Sequence, residues 1–207
     1  MIVLFPHTNP SPKTIKFIEQ LEDHTAATVY RVFTGNWERS YEHALKNLWK
    51  APDDLLIIEH DIIPTMQHLN SFVDCAFRVC AAPYEVINPN RDAFGNKNFV
   101  HAQFHMSGRR EIHFREIEVG DSFCDMTGFG CTYFRAPRVG IDWNQLWPHG
   151  MKPSWKNLDG VVMNQVRRHG NVRVHLHWPE VDHDHLGNEP PTRIWNSSTG
   201  GTYLKGL

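Results

Sequence analysis

The run Leu55-Leu56-Ile57-Ile58-Glu59-His60-Asp61-Ile62 is apolar until it delivers two carboxylates, two residues apart. Acidic groups placed this way suit a divalent cation that carries phosphates. Four consecutive aliphatic residues predict a strand buried on both faces, as in a parallel sheet. Side chains alternate along a strand, so extending it to Asp61 sends Glu59 and Asp61 to one side and His60 to the other. Pro64 ends the strand soon after, and ligands of open α/β sheets bind beyond the carboxyl ends of the strands. The same residues would also suit an ordinary solvated strand end, so the rest of the chain has to decide.

Three other segments carry ligand or acid-base chemistry. Asp159 stands directly ahead of Val161, Val162, Met163 and Val166. That position predicts a helix N-cap, and a carboxylate anchored there could also accept a proton from an attacking hydroxyl. Val181-Asp182-His183-Asp184-His185-Leu186-Gly187 is the densest run of ligand types in the chain. Imidazole joined to carboxylates suits manganese, zinc or iron, whereas magnesium and calcium prefer oxygen alone. Val172-Arg173-Val174-His175-Leu176-His177-Trp178 alternates, which puts Arg173, His175 and His177 together on the more polar face and makes the histidines exposed or boundary residues rather than ligands. His101 and His105 have the spacing of two helical ligands but lack the glutamate of a zinc-protease helix, so the pair is read as coincidence.

The elements that must position these residues follow from periodicity. Residues 2–6 read as a strand, and Ser11 or Thr14 opens a helix with the stripe Ile15, Phe17, Ile18, Leu21. Residues 28–33 read as a second strand, followed by a helix through Tyr41, Ala44, Leu45 and Leu48. The acidic strand comes third, then a helix through Leu69, Phe72, Val73 and Ala76, and a strand over residues 79–84. Residues 87–111 are polar and irregular, the kind of long segment that is usually functional or mobile. Residues 112–119 resume a half-buried edge strand, and Thr127-Gly128-Phe129-Gly130 brings two glycines where a ligand could approach or the chain bend. A helix over 159–169 stopped by Gly170, a strand over 172–178 and a loop-like tail over 188–207 complete the chain. Strands alternating with helices predict an α/β fold: a single domain with a central, mainly parallel twisted sheet, helices on both faces and a small antiparallel edge.

Composition sets limits. A formal charge of -2 gives no general basic surface for nucleic acid, and no apolar run is long enough for a transmembrane segment. A soluble, cytoplasmic protein is expected. Cys75, Cys80, Cys124 and Cys131 lack CxxC spacing and sit in apolar or glycine-bordered segments, which predicts buried free thiols.

Taken in order, the strand ending Glu59-His60-Asp61, the Thr127-Gly128-Phe129-Gly130 segment, Asp159 ahead of its helix and the late His185-Leu186-Gly187 resemble the glycosyltransferases of the GT-A fold, particularly small inverting enzymes that use nucleotide sugars. The resemblance covers residues 1–187. It implies manganese- or magnesium-dependent transfer from a nucleoside-diphosphate sugar to an acceptor hydroxyl. Asp61 would match the metal-binding acid of the DxD motif, with Glu59 in place of its first Asp. His185 would match the late histidine that completes the metal shell, with His183 the rival, and Asp159 the general base. Thr8, Asn9, Asn36, Arg39, Glu59, His60 and Gly128 are expected around the donor. The acceptor could be a glycan, a protein, a small molecule or a modified nucleic-acid base. Two other classes stay open: a metal-dependent hydrolase built from His175, His177, His183 and His185, and a nucleotide-sugar-binding protein without turnover.

Overall fold

The computed structural model describes residues 1–33, 37–88, 98–107, 113–136, 140–143, 158–184, 194–196 and 201–203. The first half repeats strand and helix: β1 (Ile2–His7), α1 (Pro12–His24), β2 (Thr28–Phe33), α2 (Trp37–Trp49), β3 (Leu55–Ile58), β4 (Ile62–Ile63), α3 (Met66–Asp74) and β5 (Val79–Ala81). A more β-rich stretch follows with β6 (Glu85–Asn88), β7 (Asn98–His101), β8 (Gln103–Ser107), β9 (His113–Glu116), β10 (Phe123–Cys124), β11 (Met126–Thr127) and β12 (Cys131–Phe134). Then come α4 (Leu158–Gly170), β13 (Val174–Leu176), β14 (Asp182–His183), β15 (Ile194–Asn196) and β16 (Gly201–Tyr203). Within the stretch expected to be loop-like, β15 and β16 pair as an antiparallel hairpin.

The central sheet has seven strands in the order β10-β13-β5-β12-β3-β1-β2. β1 is parallel to both β2 and β3, and β13 is parallel to β5. β12 runs antiparallel between β3 and β5, and β10 is antiparallel on the outer side of β13. Five strands therefore share one direction, and the sheet is mostly parallel. Antiparallel pairing is not confined to the edge, because β12 occupies the middle.

Strands buried on both faces divide their side chains between two cores. Ile2, Leu4, Leu55 and Ile57 pack with Tyr41 and Leu45 of α2 and Val162 and Met163 of α4. Val3, Phe5, Leu56 and Ile58 pack with Phe17, Ile18 and Leu21 of α1 and Leu69 and Phe72 of α3. This is why residues 2–5 and 55–58 show no polar alternation. Ser11 caps α1 by accepting from Lys13 N–H, with Pro12 at the first helical position. Helix α4 runs through Gly170, and the left-handed residue at its end is Asn171, at φ 47°. The predicted stop therefore falls one residue later, on the other residue type that tolerates this conformation.

The expected irregular region is partly ordered into β6 to β8, the strand expected after it is present as β9, and the region holds a histidine bound by two carboxylates. His101 is buried, with one ring nitrogen 3.0 Å from Glu116 and the other 2.9 Å from Glu180. The Glu116 hydrogen bond, aided by Glu180 and opposed by burial, pushes the His101 pKa from 6.5 up to about 9. His105 meets a different acid, Asp121, so the two histidines are not a ligand pair. A raised folded pKa means that this contribution is complete below pH 6.5 and is lost as pH rises through about 9. After discounting for the partly exposed carboxylates, about 1–2 kcal/mol should disappear over that interval. Urea midpoints across it should fall in the wild type and stay flatter in His101→Gln.

Candidate functional site

The acidic run does not stay extended to Asp61. β3 ends at Ile58, and Ile62 N–H donates to Glu59 carbonyl, 3.2 Å, closing a turn over Glu59-His60-Asp61 before β4. Strand alternation therefore does not govern these side chains, which corrects the expected placement of Glu59 and Asp61 on one strand face and His60 on the other. What fixes the turn is its neighbours. Glu59 N–H donates to Gly130 carbonyl at 2.9 Å, and His60 carbonyl accepts from Ser11 N–H at 2.8 Å. The Thr14 hydroxyl donates to Ile62 carbonyl at 2.9 Å.

These bonds join the turn to the segment after β1. β1 connects through α1 to β2 on one side, while β3 lies on its other side. The crevice beyond the carboxyl ends of β1 and β3 is thus a topological switch point, where open α/β sheets bind ligands. Half-buried Thr8 and exposed Asn9 follow the end of β1, and half-buried Glu59, His60 and Asp61 follow the end of β3.

β14 brings the late ligand-rich run to the same place by pairing His183 with Ile62 and Asp182 with Ile63. His183 Nε2 lies 2.9 Å from Asp61 Oδ2, and Nδ1 lies 2.7 Å from Glu85 carbonyl. A carbonyl only accepts, so Nδ1 carries a proton and Nε2 is aimed at the carboxylate. Metal-binding histidines are commonly oriented by such a carbonyl, which leaves the other nitrogen for the ion. Burial works against the Asp61 charge, but the hydrogen bond and charge of His183, with His60 and the Asp61 backbone, hold its pKa below the usual carboxylate range. Burial likewise opposes the His183 charge, yet Asp61, Glu85 carbonyl and Glu59 raise its pKa. Glu59 is thus electrostatically part of the pair.

Asp184 belongs to the site although its role is not readable from spacing. Its N–H donates to Asp61 carbonyl at 2.7 Å, and its Oδ2 accepts from the Ser11 hydroxyl at 2.6 Å. The density of ligand types over 181–185 was the available signal. His183 and not His185 can be placed beside Asp61, since His185 and Asn36 lie outside the described residues. Arg39 is in α2, and its side chain also lies outside them.

Gly128 is buried, and its main-chain groups are used within the framework: N–H to Ala102 carbonyl at 3.1 Å, carbonyl to the Thr127 and Thr132 hydroxyls. These bonds tie Gly128 into the framework between β7 and β12. Gly130 has a different demand. A Cβ there would stand 2.6 Å from Tyr84 Cζ, and Gly130 N–H donates to that tyrosine's hydroxyl at 3.2 Å. Tyr84 is fully buried and meets the His183 ring edge-on at 5.9 Å, so it cannot retreat without disturbing the site. Gly130→Ala should cost about 1–3 kcal/mol by overpacking, read as a lower urea midpoint.

Asp159 lies in the first turn of α4 rather than at its cap, and is half-buried. Helix α4 leads directly into β13, which runs parallel to β5, so the helix begins at the edge where the parallel strands end. It also packs on β11, next to Thr127. Asp159 therefore occupies the same sheet edge as the acidic turn. Of the histidines in the hydrolase reading, His175 and His177 group with Cys75 and Cys80 and His183 faces Asp61, while His185 lies outside the described residues.

No protein-family model matches this chain, and no curated protein does. Among solved structures, one described as the crystal structure of A197 from STIV aligns with a TM-score of 0.54 at 12% identity, covering 100% of this chain and 94% of that one. That likeness concerns the fold. This chain is a mixed α/β protein with a mostly parallel seven-stranded sheet and four helices among the described residues. No helix among them is long and apolar enough to cross a membrane.

Proposed function

We propose that this protein is a metal-dependent glycosyltransferase that moves a sugar from a nucleoside-diphosphate sugar to an acceptor hydroxyl with inversion. The observation that carries the reading is the Asp61–His183 pair, 2.9 Å apart at the switch-point crevice, with His183 oriented by Glu85 carbonyl. The donor set fits a divalent cation: an ionised carboxylate oxygen beside an imidazole nitrogen favours manganese over magnesium. When bound, such a cation would offset the negative charge that develops on a diphosphate leaving group. Asp61 and His183 would hold it. Thr8 and Asn9 stand where the nucleotide would enter, and Glu59 is close enough to His183 to raise its pKa.

The remaining chemistry belongs to Asp159. A carboxylate at the start of α4 is anchored by its helix, and an attacking hydroxyl brought to it can lose its proton as the new bond forms on the face opposite the leaving group. Single displacement inverts the anomeric carbon.

The test is thermal stability against a panel of nucleoside diphosphates and their sugars, with and without manganese, followed by turnover with the stabilising donor. A shift that needs manganese and one nucleotide together, and an inverted product, support the reading. Stabilisation by no nucleotide, or a product with the donor's configuration, overturns it; nucleotide binding without turnover would favour a binding protein.

A further inference from the structure

Away from the acidic turn, three chain segments bring four soft or borderline ligands to one point. Cys75 caps the end of α3, Cys80 lies on β5, and His175 and His177 straddle β13 and the residue after it. The parallel register sets His175 beside Cys80, and His177 N–H donates to Ala81 carbonyl at 2.9 Å, so both histidines face the same side as Cys80. Cys75 Sγ is 3.3 Å from His175 Nδ1, which in turn is 3.0 Å from His177 Nε2. The four ligand atoms all lie within 4.8 Å of one another.

We propose that Cys75, Cys80, His175 and His177 form a structural zinc site that fastens the end of α3 to β5 and β13. Zinc with two thiolates and two imidazoles is tetrahedral, and its bond lengths separate the ligand atoms by about 3.3–3.8 Å. The 3.3 Å and 3.0 Å separations fall within a few tenths of an ångström of these values, and none of the others exceeds 4.8 Å. Four protein ligands leave no open position, so the site is structural and not catalytic. Its charge also balances: two thiolates neutralise the dication, which suits a buried place.

The surroundings fit this role. Cys80 is fully buried and Cys75 nearly so, and neither is in a disulfide. Phe77 and Phe123 cover His175, and Phe72 meets His177 edge-on at 5.1 Å. Burial raises the Cys80 thiol and lowers both histidines, His177 to about 4. Arg135 donates to the carbonyls of Val73 and Cys75 and favours the Cys80 thiolate. Binding releases the two thiol protons and forms two Zn–S and two Zn–N bonds, with no redox change.

Cobalt(II) titration of the metal-free full chain tests the site, with native mass spectrometry of the protein as purified. The expected result is one tetrahedral cobalt with a thiolate-to-cobalt charge-transfer band, displaced by one zinc. The mass should rise by one zinc less two protons. Asp61→Asn should keep the band, which separates this site from the proposed donor site, whereas Cys75→Ser and His177→Ala should weaken binding by roughly 100-fold. Absence of the charge-transfer band in folded wild type, its survival in both variants, or a Cys75–Cys80 disulfide in place of metal would overturn the assignment. The wild-type spectrum and mass decide even where a variant fails to fold.

Discussion

Asp61→Asn is expected to abolish manganese-dependent stabilisation by the nucleotide donor and to lower kcat/KM by about 1,000-fold or more. Asparagine keeps the size of the side chain and removes its charge. The wild-type carboxyl is held in its ionised form by His183, against the effect of burial, so the negative charge exists at neutral pH. An amide in its place offers a neutral oxygen to a dication and, in one orientation, turns an N–H toward His183 Nε2. The folding cost is smaller. Loss of a hydrogen-bonded partner for a side chain that is 9% exposed should lower stability by about 1–3 kcal/mol, because His183 can discharge to its neutral form. The two effects separate experimentally: urea denaturation without metal reads the fold, and melting temperature with manganese plus nucleotide reads the site. If Asp61→Asn kept the full manganese-dependent shift, the cation would have to be held elsewhere and the proposed site would fail.

Legibility in the sequence followed from how each feature is encoded. β1 and β2 were readable almost to the residue, and α1, α2 and the start of β3 from their apolar positions, because buried parallel strands are continuous aliphatic runs and helices on a sheet carry one apolar stripe. Asp61 and His183 were readable as residue types in suggestive runs. Their partnership was not, because it depends on β14 pairing with β4, a contact between segments 122 residues apart. The turn at Glu59 was missed for a similar reason. Periodicity continues through the apolar Ile62, whereas β3 ends at Ile58 and the turn after it is held by hydrogen bonds from the Ile62 and Ser11 N–H groups and to the Gly130 carbonyl. Gly128 and Gly130 look alike in sequence, yet one has its polar groups absorbed by neighbouring hydroxyls and the other exists to admit the Tyr84 ring. The Cys75, Cys80, His175, His177 cluster was the least legible. Its spacings match no zinc motif, and only the register of β13 on β5 closes the 100-residue gap.

Asp159→Asn should separate binding from chemistry. Donor and manganese binding should stay within about threefold of wild type, while kcat falls by about 100- to 10,000-fold, the range that general-base catalysis supplies. The contrast with Asp61→Asn is the point, since both variants remove one negative charge from the same sheet edge. Asp61 is tied to His183 and to Asp184 through its own carbonyl, so its loss disturbs the holding of the donor. Asp159 stands on a separate element, in the first turn of α4, where a carboxylate also interacts favourably with the helix amino end. Losing that interaction costs about 0.3–1 kcal/mol, too little to unfold the chain and too little to account for a large drop in turnover. Asparagine cannot take a proton from an attacking hydroxyl, so the deficit should appear in kcat and should shrink with an acceptor whose hydroxyl is more acidic. Equal losses in donor affinity and kcat would instead assign Asp159 to substrate binding, and an unchanged kcat would remove it from the mechanism.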